Sequence, residues 1–115
     1  MAAAFLPWEK WIARLFHVLA VALRRAAYEA KRRRDLSRSA AWAEAVGTVE
    51  TVKWDTSFPR EEIGYSYTTP DGVQTGYSWT WFESPNEPQP RIGDKIRLRY
   101  NEENPGDSVF IRVDR

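Results

Sequence analysis

The sequence of 115 residues contains no cysteine and only one histidine, His17. Without cysteine the chain forms neither a disulfide nor a thiolate metal site, and a single imidazole does not build a histidine-rich one. The glycine-rich phosphate-binding loop and the carboxylate spacing of a calcium-binding loop are also missing. We therefore expect the protein to bind no metal ion and no organic cofactor.

Long apolar runs are missing as well. The stretch between Arg14 and Arg24 covers residues 15–23, much shorter than the ~20 apolar residues that a membrane-spanning helix needs. His17 interrupts this stretch, and Arg24-Arg25 follow it where a signal peptide would have small residues. We expect neither a spanning helix nor a cleaved signal, and a cytoplasmic protein that is either free or peripheral at the inner membrane.

Charge is distributed unevenly along the chain. Residues 1–45 contain nine Lys and Arg against four Asp and Glu, whereas residues 46–115 contain eight against twelve. A basic N-terminal third joined to an acidic remainder indicates two parts with different neighbours. The predicted division is a basic amphipathic helical segment at 1–44 and a small all-β domain at 45–115.

The N-terminal third predicts a long helix over residues 5–45, with Pro7 at its start, where a missing N–H is tolerated. Large apolar side chains recur at helical spacing and define an apolar stripe: Trp8, Trp11, Ile12, Leu15, Leu19 and Leu23. Positively charged side chains follow and define a basic cluster: Arg24, Arg25, Lys31, Arg32, Arg33 and Arg34. Both sets are predicted interaction residues.

From residue 45 onward, alternating apolar and polar residues predict short antiparallel strands. A central hairpin joins 63–69 to 73–82 through the turn Pro70-Asp71-Gly72, and Gly47 in the first strand is predicted to mark a bulge or bend. The other predicted strands are 46–54, 95–100 and 108–113, with a polar turn at 101–107. The expected fold class is α+β: a long helix followed by a β-barrel or sandwich of about five strands.

The central hairpin is rich in aromatic side chains, and the strand periodicity favours them as the core of a small barrel: Tyr65, Tyr67, Tyr77, Trp79 and Trp81. The alternative is a stacking surface for nucleic-acid bases.

Several segments together resemble a bacterial family of unknown function, the domain-of-unknown-function family numbered 3592. They are Val46-Gly47-Thr48-Val49, Tyr65-Ser66-Tyr67, Gly72 to Tyr77, and the closing segment 92–105 with Tyr100, Asn104 and Pro105. This sequence has Glu102 where the family often has proline. The resemblance covers 45–113 and implies a small β-domain, commonly attached to membrane segments, with no known activity.

No pattern in the sequence predicts a reaction. Glu61-Glu62 and Glu102-Glu103 are adjacent pairs that we interpret as solvated loop charges rather than acid/base sites. The sequence therefore predicts a non-enzymatic interaction module without a small-molecule substrate. Its helix is expected to dock on a membrane surface, a membrane complex or a sister chain, or to pack on its own β-domain; the alternative function is a nucleic-acid-binding barrel.

Overall fold

A computed structural model describes residues 7–56, 58–81 and 89–114. One helix and five strands follow one another along the chain: α1 at Pro7–Arg38, β1 at Ala43–Trp54, β2 at Arg60–Thr69, β3 at Gly72–Trp81, β4 at Lys95–Asn101 and β5 at Asn104–Val113. This order confirms the predicted α+β class with an N-terminal helix. The predicted end of the second hairpin strand, at Phe82, lies outside the described residues.

The five strands form one antiparallel sheet in the order β3-β2-β1-β4-β5. The edge strands β3 and β5 curl towards each other, so the sheet is nearly closed into a barrel. Closure reduces the unpaired strand edges that an open sheet would expose.

The barrel core combines aromatic and aliphatic side chains. Tyr65 and Tyr67 of β2 are buried with tilted rings whose centroids lie 6.0 Å apart. Both hydroxyls have partners: the Tyr65 Oη lies 2.8 Å from the Ser108 Oγ, and Tyr67 donates to the Pro105 carbonyl at 2.6 Å. Burial raises the pKa of Tyr65 to about 12. The core cluster is Val49, Ile63, Tyr65, Tyr67, Ile96, Leu98 and Phe110.

Strand β3 places its large side chains on the outside of the barrel, so the prediction that they fill the core is wrong for Tyr77 and Trp79. Tyr77 is 69% exposed and Trp79 is 40% exposed. The inner face instead carries Gly76, where a Cβ would lie 2.7 Å from the Tyr65 ring. Within the hairpin, the interior ring comes from β2, and the residue of β3 opposite it must therefore be small.

Several boundaries differ from the predictions, and strand β2 begins at Arg60 rather than 63. The helix ends at Arg38 rather than 45, because a turn follows it and β1 already begins at Ala43. The register of β1 against β2 shifts between Val49 and Thr51, whereas Gly47 pairs regularly, so the predicted bulge lies three residues further on. Strand β5 begins at Asn104, inside the predicted polar turn.

Two core positions were not predicted. Phe110 reaches the core because the β4–β5 register shifts, pairing Leu98 with Phe110 while Arg97 pairs with Arg112. The extra residue at Ile111 allows the neighbouring Val109 and Phe110 both to be buried, while Val113 still packs against the core. Glu61 is 1% exposed on β2, which corrects its interpretation as a solvated loop charge.

Candidate functional site

Helix α1 is much longer than the barrel is wide. Its 32 residues extend ~48 Å at ~1.5 Å per residue, in a molecule that measures 70 × 27 × 23 Å. Every side chain from Trp8 to Ala20 is exposed. The N-terminal half of the helix therefore projects beyond the barrel, and only its C-terminal half packs on the strands.

The barrel-facing side of α1 is mainly polar and aromatic. Partly buried residues recur at helical spacing at Val21, Arg25, Tyr28, Arg32 and Asp35. The Tyr28 and Trp81 ring centroids lie 6.1 Å apart, and the Arg25 guanidinium lies 5.7 Å from the Trp81 ring centroid. Guanidinium groups pack on ring faces through charge and planar stacking, so this interface does not need an apolar stripe.

Arg32 makes the deepest contact between the helix and the barrel. Its guanidinium donates to the carbonyls of Phe110 and Ile111, the latter at 2.6 Å, and lies 5.6 Å from the Phe110 ring centroid. These carbonyls belong to the irregular part of β5, where the ladder with β4 shifts. Burial lowers the pKa of Arg32. The side chain satisfies backbone acceptors at the edge of the nearly closed barrel.

The end of the helix is fastened by further arginine contacts. Arg38 forms an ion pair with Asp107 of β5 at 2.9 Å, and Arg99 of β4 donates to the carbonyl of Leu36 at 3.3 Å. Ser39, directly after the helix, is fully buried. These contacts fix the C-terminal end of the helix on the barrel and the direction in which the rest of the helix projects.

The apolar stripe faces away from the barrel. At ~100° per residue, Ile12, Leu19 and Leu23 lie ~140–180° around the helix from Arg32, whereas Trp11 lies ~60° from it on the projecting half, so most of the stripe is directed away from the contact face. All six predicted stripe residues are exposed, with Trp11 at 74% and Leu23 at 71%. Phe16 and Val18 widen the same exposed surface.

The basic cluster is divided between two faces. Arg24 lies over the Phe58 ring at 5.5 Å from its centroid, and Arg25 and Arg32 contact the barrel as described above. Arg33 and Arg34 are exposed, and Arg33 lies within ~20° of Trp8 around the helix. The outer face of α1, defined as the apolar stripe together with Arg33 and Arg34, thus changes from apolar to basic along its length.

The sequence interpretation treated this cluster as one interaction surface, and the structure brings only part of it to the outside. Lys31 pairs with Asp35 at 2.6 Å, and Arg32 is used by the fold. The rings on which Arg24 and Arg32 pack, Phe58 and Phe110, were not predicted as contact residues. The spacing of Arg25, Tyr28 and Arg32, at i, i+3 and i+7, was the available sign of a second packed face.

A groove of about 530 Å³ separates the C-terminal half of α1 from the outer surface of β3 and β5. Its helix wall includes Arg24, Tyr28 and Arg32, and its strand floor includes Tyr77 and Trp79. The Arg60 guanidinium lies 4.2 Å from the Trp79 ring centroid and pairs with Asp55 at 2.7 Å. Exposed rings and guanidinium groups therefore line one concave surface, hereafter the groove.

Glu61 is a buried titratable group on the opposite, inner face of β2. In the described part of the chain neither of its carboxylate oxygens has a hydrogen-bond partner. Burial raises the pKa of Glu61, because a carboxylate is costly to remove from water. Enclosed within the barrel, this side chain does not line the groove.

The described residues show neither a metal-binding cluster nor a membrane-spanning helix. They contain no group of three or more His, Asp or Glu side chains arranged to hold a metal ion. Over the same residues, no helix combines the length and apolar character needed to cross a bilayer. The outer face of α1 presents exposed apolar and basic side chains, and the groove presents rings and guanidinium groups.

Comparison of the chain with family models, with curated proteins and with solved structures gives no match. The resemblance to the family numbered 3592 therefore stays a prediction.

Proposed function

We propose that the protein is a non-enzymatic module that docks on an anionic membrane surface through the outer face of α1 and holds the β-barrel beside that surface. The observation that carries the proposal is the orientation of the apolar stripe, which is exposed and directed away from the barrel. The contacts to the protein's own β-domain come from the other side of the helix. The β-domain is therefore not the partner that covers the stripe.

The composition of the outer face suits a lipid interface. Trp8, Trp11 and Phe16 are large amphipathic or apolar rings, which favour the boundary between head groups and acyl chains. Burial of each large apolar side chain contributes ~1.5–3 kcal/mol. Arg33 and Arg34 follow on the same face, and each basic residue near an anionic leaflet contributes ~1 kcal/mol.

A second copy of the chain is the competing occupant of this face. A parallel pairing of two outer faces would bring Arg33 and Arg34 of both copies together, where like charges repel, and an antiparallel pairing would leave them without an opposite charge on the partner's apolar stripe. Lipid phosphates neutralise the same residues. This difference in charge favours the membrane over the sister chain.

The test is co-sedimentation with vesicles of phosphatidylglycerol or phosphatidylcholine over a series of salt concentrations. We expect binding to phosphatidylglycerol that weakens with salt. Trp11→Asp with Leu15→Asp should abolish it, and Arg33→Gln with Arg34→Gln should weaken it about 30-fold, from ~1 kcal/mol for each charge.

The matched control is Val73→Asp with Ile92→Asp, which adds two acidic residues at exposed apolar positions of the β-domain. This variant should bind vesicles like the wild type. A wild type that ignores both vesicles would refute the proposal, and a dimer that is dissociated by the Trp11 and Leu15 changes would replace the membrane with a sister chain.

Nucleic-acid binding is the second candidate, and one observation favours it: Tyr77 and Trp79 are exposed and share the groove with arginines. Arg60 already lies over the Trp79 ring, however, and Lys31 and Arg38 pair with Asp35 and Asp107. Binding of a single-stranded oligonucleotide with a steep salt dependence, lost in Tyr77→Ala, would favour this candidate.

A further inference from the structure

The groove contains a partly buried positive charge that the fold does not neutralise. The partners of the Arg32 guanidinium are two backbone carbonyls and the face of Phe110. Within the described residues, no carboxylate lies within ion-pair distance of Arg32. Buried charges in proteins normally have a counter-charge, so this arrangement leaves room for an anion.

Most other charges of the groove cancel. Lys31 and Arg38 are paired with Asp35 and Asp107. Arg60, which also lines the groove, is paired with Asp55. Of the remaining lining residues, Arg24 is positive and Glu62 is negative, and no ion pair joins either to a described residue. The balance that remains is positive, and Arg32 accounts for it.

The groove also offers apolar surface of a definite shape. Tyr77 and Trp79 form its floor, and Phe110 and Val109 lie on the side of β5. Its volume of about 530 Å³ is within the ~300–1,000 Å³ typical of small-molecule sites. Flat rings beside a guanidinium favour a ligand with a planar apolar part and an anionic head group.

We infer that the groove between α1 and the β3 and β5 strands is a binding site for a small planar organic anion, whose carboxylate or phosphate pairs with Arg32 and whose ring lies on Tyr77, since Arg60 already lies over the Trp79 ring. Arg32 has five N–H donors, and its two carbonyl partners leave others to receive the anion. Arg24, about two turns earlier on the same helix wall, also lines the groove.

The test uses three probes with one ring system: 2-naphthoate, 2-naphthyl phosphate and the uncharged 2-naphthol. Binding to the full chain without lipid is measured by isothermal titration calorimetry, and the site is located by amide chemical-shift changes. We expect both anions to bind and 2-naphthol to bind at least about tenfold more weakly, because a charged hydrogen bond contributes ~1.5–3 kcal/mol. The anion that binds more tightly identifies the head group.

Two matched pairs of variants locate the contact. Arg32→Gln should weaken anion binding at least about tenfold, whereas Arg33→Gln, which changes the exposed neighbour, should not. Tyr77→Ala should weaken binding several-fold, and Val73→Ala on the same strand should leave it unchanged. Because Tyr77 and Val73 are both exposed, their substitution should not disturb the fold, and this pair tests the binding site even if Arg32→Gln lowers stability.

Three results would overturn the inference. One is a wild type that binds neither anion at millimolar concentration. Another is equal affinity for 2-naphthol and the two anions. The third is the same loss of affinity in Tyr77→Ala as in Val73→Ala.

Discussion

The two halves of helix α1 differ in what surrounds them. Residues 8–20 project beyond the barrel with their apolar side chains exposed, whereas residues 24–38 pack on β3 and β5 through Arg25, Tyr28 and Arg32. The apolar half thus has no intramolecular partner among the described residues, and the basic half has several. The usual arrangement, in which the apolar side of a helix packs on its own domain, is reversed.

This reversal is possible because an arginine side chain packs and donates hydrogen bonds as well as carrying a charge. Its stem packs on apolar surface, and its planar head group stacks on rings and donates to carbonyls. At the open edge of the barrel, β5 presents carbonyls that a leucine could not satisfy. The contact face of the helix is therefore selected by hydrogen bonding, which leaves the apolar face available for another surface.

Deletion of the helix tests how much the second half contributes. We expect residues 43–115 to fold cooperatively but to lose about 3–5 kcal/mol of unfolding free energy, because the Arg32 hydrogen bonds and the Tyr28–Trp81 contact are removed. Urea denaturation of the fragment and of the full chain gives the difference. The absence of a cooperative transition in the fragment would mean that α1 completes the core.

A single substitution separates the two faces of the packed half. Arg32→Ala should lower the free energy of unfolding by about 2–3 kcal/mol, because the carbonyls of Phe110 and Ile111 lose a charged donor. Arg33→Ala, one residue along and exposed, should change it by less than about 0.5 kcal/mol. Thermal or urea unfolding of both variants provides the measurement, and equal effects would contradict the assigned contact face.

Substitution of Glu61 is expected to stabilise the barrel without changing the helix. Its raised pKa means that the folded state binds a proton more tightly than the unfolded state does, so stability falls as pH rises from the unfolded pKa through the folded one. Glu61→Gln should therefore raise the free energy of unfolding by about 1–3 kcal/mol at pH 7.

At pH 4 the benefit of Glu61→Gln should be smaller, because the wild-type carboxyl is then largely protonated. Unfolding curves at the two pH values compare the variants, with Glu62→Gln as the control on the same strand. An equal gain at both pH values would show that Glu61 does not titrate within the fold.

The sequence was sufficient to predict the strands and the helix, because period-two and helical patterns are local. The hairpin turn at Pro70-Asp71-Gly72 was predicted correctly, and Gly72 has the positive φ of 118° expected at such a corner. The side of β3 that faces inward was predicted wrongly. Alternation shows which residues share a face, but not which face is covered.

The candidate sites were less predictable than the fold. The apolar stripe follows from helical spacing, yet its direction depends on where Arg32 meets β5, a contact between residues 78 apart in the chain. Burial of Glu61 depends on the β1–β2 register and its shift near Thr51. The groove combines α1, β3 and β5, and no local pattern describes a surface built from three distant segments.

The most direct test of the divided helix is hydrogen exchange followed along α1, without and with phosphatidylglycerol vesicles. Amides of residues 24–38 should be protected in both conditions, because barrel contacts hold that half in place. Amides of residues 8–23 should exchange faster in solution and become protected only with vesicles. Equal protection of both halves in a lipid-free monomer, or no change in residues 8–23 with vesicles, would contradict the account.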